Sequence, residues 1–109
     1  MHTITIPLKI PSLNEILRTH WSASRKLKKQ WRFFFPYWTH ETFSHVTITC
    51  HRPRLLDYDN FVGGCKSLVV DNFKDAGYIK DDSLKHVSIT YEQVQSSKEK
   101  IVIIFENKV

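Results

Sequence analysis

The sequence predicts an α+β fold: a mixed sheet of about four strands with two main helices, in the order β-α-β-α-β-β. Three observations lead there. Alternation of apolar and polar residues recurs in three stretches, helical spacing fills two others, and the two kinds alternate along the chain before a closing pair of strands. At 109 residues the length is that of one domain, residues 1–109, and no internal repeat or low-complexity linker divides it.

From Thr3 to Ile10 the residues Ile4, Ile6, Leu8 and Ile10 alternate with Thr3, Thr5 and Lys9. Pro7 interrupts them, which predicts an edge strand because proline offers no N–H to a neighbour. Pro11-Ser12-Leu13-Asn14 then breaks the pattern. Between Ser22 and Trp38, Leu27, Trp31, Phe34 and Trp38 recur at helical spacing, with Ser22 or Ser24 as the cap and Pro36 as the stop or kink. The other face carries Arg25, Lys26, Lys28, Lys29 and Arg32, a row suited to DNA phosphates that on its own is more often a solvated helix face. The aromatics Trp31, Phe33, Phe34, Phe35, Tyr37 and Trp38 follow the helix period, which assigns them to the core or a dimer contact before base stacking.

His45 to His51 alternates again and predicts a strand, with Val46, Ile48 and Cys50 on one face. A helix following Gly64 places Cys65, Leu68, Val69, Phe73 and Ala76 on one side and stops at Gly77. Val87, Ile89 and Tyr91 mark a further strand, and Ile101 to Phe105 is a continuous apolar run suited to a buried one. Gln95 to Lys100 joins them.

A net charge of +5 with 25% charged residues describes a soluble globular chain whose basic surplus favours nucleic acid as a partner. Cys50 and Cys65 lie in apolar surroundings without ligand spacing, so they are expected as buried free thiols. The N-terminus lacks the pattern of a signal peptide and no apolar run is long enough for a bilayer, which predicts a cytoplasmic protein with no membrane partner.

Chemistry concentrates between Asp57 and Asp82. In an extended segment Asp57 and Asp59 point to one side with Cα atoms roughly 6.5 Å apart, so both carboxylates reach one ion. Asp81 or Asp82, returning after the helix, supplies a third. Clustered carboxylates repel unless a cation neutralises them, and hard oxygen donors without Cys or His favour Mg²⁺, with Mn²⁺ as a substitute. Such an ion activates water for phosphodiester displacement, and Lys66 pairs with a phosphate oxygen in the transition state. Spacing alone leaves a second reading open, with Asp57 and Asp59 as turn formers, Asn60 as a helix cap and Asp81-Asp82 as loop residues. An EF-hand fails at Phe61 and Val62, and a Walker loop fails at Asn60 and Cys65. The six histidines form no HExxH pair, and Pro53 separates His51 from the acidic stretch.

Asp57-x-Asp59-Asn60, a downstream lysine, Asp71, Asp75-Ala76-Gly77 and Asp81-Asp82-Ser83 together resemble the signature of the RusA-type Holliday junction resolvases. The strand Val46–His51 and the opening Ile6-Pro7 to Pro11-Ser12-Leu13-Asn14 extend the likeness over nearly the whole chain. The resemblance implies a RusA-like fold and a homodimeric, Mg²⁺-dependent endonuclease that nicks two strands of a four-way DNA junction symmetrically, in a bacterial or phage-infected cell. It implies Asp57, Asp59 and Asp82 as metal ligands and Lys66 as the catalytic lysine. Two departures stand out: Lys66 lies seven residues after Asp59 where the family usually has four, with Gly63-Gly64 between, and Leu56 replaces an arginine that often precedes the first aspartate. In a helix, offsets of four and seven differ by only about 60° around the axis; in a loop, Lys74 is the alternative lysine. Arg52 or Arg54 is then the expected replacement at phosphate. The reading from another class is a noncatalytic nucleic-acid-binding protein with the same fold.

Overall fold

The predicted strands form one mixed sheet in the order β1-β4-β2-β3, where β1 is His2–Ile6, β2 His45–Arg52, β3 Ser88–Gln95 and β4 Lys100–Glu106. The computed structural model describes residues 1–83 and 85–107. β1 pairs only with β4, so the edge position expected from Pro7 is where it lies, although the strand ends at Ile6 rather than Ile10. β4 is antiparallel to both β1 and β2, whereas β2 and β3 are parallel. Parallel neighbours need a long crossover, and here it is helical.

The helices are α1 (Leu13–Arg18), α2 (Trp21–Arg32), α3 (Tyr58–Cys65) and α4 (Asp71–Asp75), with a π-helical turn at Lys66–Val70 joining the last two. One sheet face holds the core: Val46, Ile48 and Cys50 of β2 and Ile101, Ile103 and Phe105 of β4 are buried with Phe61, Cys65, Leu68, Val69 and Phe73. Ile101–Phe105 was expected as uniformly buried, but Val102 and Ile104 sit on the half-exposed face, where Ile104 lies between Thr3 and Thr47. Cys50 and Cys65 are buried free thiols with their sulfurs 3.9 Å apart.

Three local expectations give way to tertiary packing. Pro11-Ser12-Leu13-Asn14, which reads as a break, instead starts α1, with the Ser12 hydroxyl accepting from the Glu15 N–H. α2 is capped by His20, whose Nδ1 accepts from Ser22 N–H, and ends at Arg32, three residues before proline could stop it. The third concerns Gly63-Gly64. These residues lie inside a helix that begins at Tyr58, not after Gly64.

Their lack of side chains is a packing requirement. A Cβ on Gly64 would stand 2.2 Å from the Pro11 carbonyl oxygen, and one on Gly63 would stand 2.8 Å from the Leu13 Cβ. The Pro11 backbone and the Leu13 side chain thus rest directly on α3. Further along, Leu68, Val69 and Val70 are all buried in succession. A regular α-turn spreads three consecutive residues over about 200°; the wider π-turn, closed by Asp71 N–H to the Lys66 carbonyl, accommodates them. The Asn72 amide braces it, donating to the Leu68 carbonyl at 2.7 Å and to Lys28 of α2 at 3.1 Å. Gly77, at φ 95°, ends the run as its sequence position predicts.

Gly64→Ala is expected to destabilise the fold by about 1–3 kcal/mol, the cost of overpacking against backbone that cannot move aside. Urea denaturation followed by circular dichroism measures it; unchanged stability would contradict the contact.

Candidate active site at the start of the crossover helix

After β2 the chain is held to the neighbouring strand by side chains that imitate strand pairing. Gln93 accepts from Leu56 N–H and donates to the Leu56 carbonyl, both at 2.9 Å, and Gln95 donates to the Pro53 carbonyl at 3.1 Å. This fixes the residue before Asp57. Asp57 is the N-cap of α3: Oδ2 accepts from Asn60 N–H at 3.2 Å and Oδ1 from the Asn60 side-chain amide at 2.6 Å. Asn60 in turn accepts from the Asn14 N–H, which ties α1 to the same spot. Asp57, rather than Asn60, is therefore the cap.

The Asn60 side-chain bond, then its backbone N–H, hold the exposed Asp57 carboxyl below its ordinary value of 3.8. Both donors stabilise the charged form. Each oxygen keeps a further lone pair for another partner.

Asp59 occupies the first turn of α3. The extended geometry expected for Asp57 and Asp59 is thus replaced by a cap and a helical residue; at helical pitch, positions two apart diverge by roughly 200° instead of sharing a side. The helix creates another alignment. Seven residues on, Lys66 returns to within about 20° of the direction of Asp59, roughly 10 Å further along the axis. Because Gly63-Gly64 are helical, the longer spacing keeps the lysine on nearly the same face.

Lys66 lines a pocket of 290 Å³ with Asp82, Tyr91, Val70, Val87 and Ile89. The segment after α4 therefore carries Asp82 back to the middle of the crossover helix. Asp81 turns elsewhere: it accepts from Ser83 N–H at 2.8 Å and lies 3.6 Å from His86. Lys74 stands 3.9 Å from Asp71, which also pairs with Lys28 at 3.3 Å, so that trio joins α2 to α4. Burial above all, with Cys65, Tyr58 and Asp82 adding to it, pushes the Tyr91 hydroxyl up to about 12. Tyr91 therefore stays protonated, and the residue lines the pocket of Lys66 and Asp82.

Asp57, Asp59 and Asp82 are all exposed. As oxygen donors they suit a hard divalent cation. They are not gathered: among the described residues no three His, Cys, Asp or Glu side chains lie close enough together to hold a metal ion. Beyond Asp57 a 500 Å³ pocket is lined by Arg52, Arg54, Leu56, Asp57 and Lys9 among others. Of the two arginines expected at phosphate, only Arg54 is exposed; Arg52 is 6% exposed and donates to the Ile10 carbonyl at 2.9 Å. Arg52 braces the fold because its β2 position faces the core. Arg25, Lys26 and Lys29 of α2 are exposed, Lys28 and Arg32 half-buried.

Asn14, Gln93 and Tyr91 escape sequence reasoning, since each acts across elements far apart in the chain. No family model matches the chain, and a search of curated proteins finds no match. No described helix is long and apolar enough to cross a membrane.

Because the Asp57 carboxyl titrates below its ordinary value, the cap's contribution to stability is complete above the unfolded value and is lost as pH falls through the lower folded one. Carboxyl-carbon NMR should place the Asp57 midpoint below 3.8, and Asn60→Ala should raise it. A midpoint that Asn60→Ala leaves in place would contradict the assigned cause.

Proposed function

We propose that this chain is a divalent-metal-dependent endonuclease that hydrolyses DNA phosphodiesters, with four-way junctions as substrate, a homodimer as the working form and the bacterial or phage-infected cytoplasm as its setting. The observation that supports this reading is the placement of Lys66: nearly in line with Asp59 along one helix and sharing a pocket with Asp82. A carboxylate and an exposed ammonium that share a concave surface suit a phosphate whose charge rises during displacement.

Asp57, Asp59 and Asp82 are the exposed carboxylates that would hold Mg²⁺ or Mn²⁺, and they would have to draw together to do so, since they are not gathered in this structure. The ion, when bound, supplies an activated water and stabilises charge on the phosphate oxygens. The chain's own residues do the rest. Lys66 places a positive charge against a non-bridging oxygen, and the protonated Tyr91 hydroxyl donates a hydrogen bond from the pocket wall. Arg54 and the cations of α2 supply salt-sensitive contacts to flanking phosphates. Asn60 and Gln93 keep Asp57 ionised and in place before substrate arrives.

A noncatalytic nucleic-acid-binding protein is the second reading, favoured by the ungathered carboxylates. A labelled four-way junction separates the two. With Mg²⁺ the nuclease reading expects paired nicks, and Lys66→Met should lower the single-turnover rate by about 10²–10³-fold, the usual cost of removing a charge-stabilising donor. Asp59→Asn should abolish nicking and leave junction binding largely intact. Metal-independent binding without any nick would establish the second reading instead.

A further inference from the structure

We propose that the outer face of α2 and the turn that follows it bind single-stranded DNA, with bases stacked on Phe33 and Tyr37 and phosphates held by Lys26 and Lys29. The helical period assigns the aromatics of this region to the core or a dimer contact, and the structure divides them. Trp31 and Phe35 are buried, but Phe33 is 84% exposed and Tyr37 80%. Among the described residues Phe33 meets the edge of Phe34 and Tyr37 meets Arg32, and neither ring is enclosed.

Their surroundings are cationic. Phe33 and Phe34 line a 630 Å³ groove with Leu8 and Trp31, and its polar members are Lys26, Lys29 and Gln30. The Arg32 guanidinium lies 5.1 Å from the centre of the Tyr37 ring, and Arg25 lies 5.7 Å from that of Trp21, itself 65% exposed. α2 contains no acidic residue, and of its cations Lys28 is the one held by Asp71. Phe34 also borders a second hollow of 540 Å³ with Tyr37, Trp38 and His40, so the aromatic surface continues past the end of the helix.

Charge complementarity selects a polyanion, and the exposed rings select its form. Bases within a duplex are stacked on one another and present only their edges, whereas unpaired bases offer a free face to an aromatic ring. Basic residues alone would suit either form. Interleaved with Phe33, Tyr37 and Trp21, they favour unpaired strands. The proposal rests on the nuclease reading for the choice of DNA, and it supplies that reading with a substrate feature: single-stranded nucleotides exposed where a junction opens.

Fluorescence anisotropy without added metal, using a labelled oligothymidylate and a duplex of equal length, tests it. The wild type should prefer the single strand. Phe33→Ala and Tyr37→Ala should each weaken single-strand binding by about 5- to 150-fold and leave duplex binding unchanged. Both positions are too exposed for either change to disturb the core. Lys26→Gln should weaken both ligands and flatten the salt dependence. Equal affinity of Phe33→Ala and wild type for the single strand would overturn the proposal, as would a dimer in sedimentation that Phe33→Ala dissociates, since a second copy would then cover the rings. Asp59→Asn should bind the oligomer like wild type. If it does and the wild type cuts no junction, the nuclease reading falls and this one stands; if junctions are cut and Phe33→Ala changes nothing, the reverse holds.

Discussion

The close approach of Pro11–Leu13 to Gly63-Gly64 governs the geometry of this protein. It lets the crossover helix start at Tyr58 and run unbroken past two residues that would otherwise weaken it. Continuity has a chemical consequence. Asp57 becomes a cap whose charge is held by Asn60, Asp59 enters the first turn, and Lys66 falls in line with Asp59 two turns on. The same contact brings Asn14 to Asn60, so the opening segment of the chain helps to orient the first carboxylate.

The middle of the crossover obeys a second constraint. Three successive buried residues, Leu68 to Val70, widen the helix into a π-turn immediately after Lys66. Asn72 and the Lys28–Asp71 pair bind that turn to α2. The basic helix is thus anchored to the element that carries the candidate catalytic lysine, and its outer aromatics remain free for a ligand.

The sheet was legible because period-2 alternation survives any context: the stretches around Ile4, Ile48 and Ile89 became strands, as did the continuous apolar run around Ile103, and Pro7 marked the edge. Helix boundaries were less so. Gly63-Gly64 reads locally as a breaker, and only the distant Pro11 carbonyl explains why it is not. Pro11-Ser12-Leu13-Asn14 reads as a break, yet Ser12 caps a six-residue helix that packs on α3. Within the candidate site, the residue types could be listed from sequence but their roles could not. Whether Arg52 is exposed and whether Lys66 or Lys74 shares a pocket with Asp82 depend on contacts between remote segments.

The proposed nuclease chemistry requires Asp57, Asp59 and Asp82, which are not gathered in this structure, to draw together around a divalent cation near Lys66. Paramagnetic broadening by substoichiometric Mn²⁺ tests it most directly, because the effect on each backbone amide falls steeply with distance from the ion. A shared site should give selective loss of the amides around residues 57–60 and 82, reversed by excess Mg²⁺. Broadening centred elsewhere, or none at these positions, would contradict it.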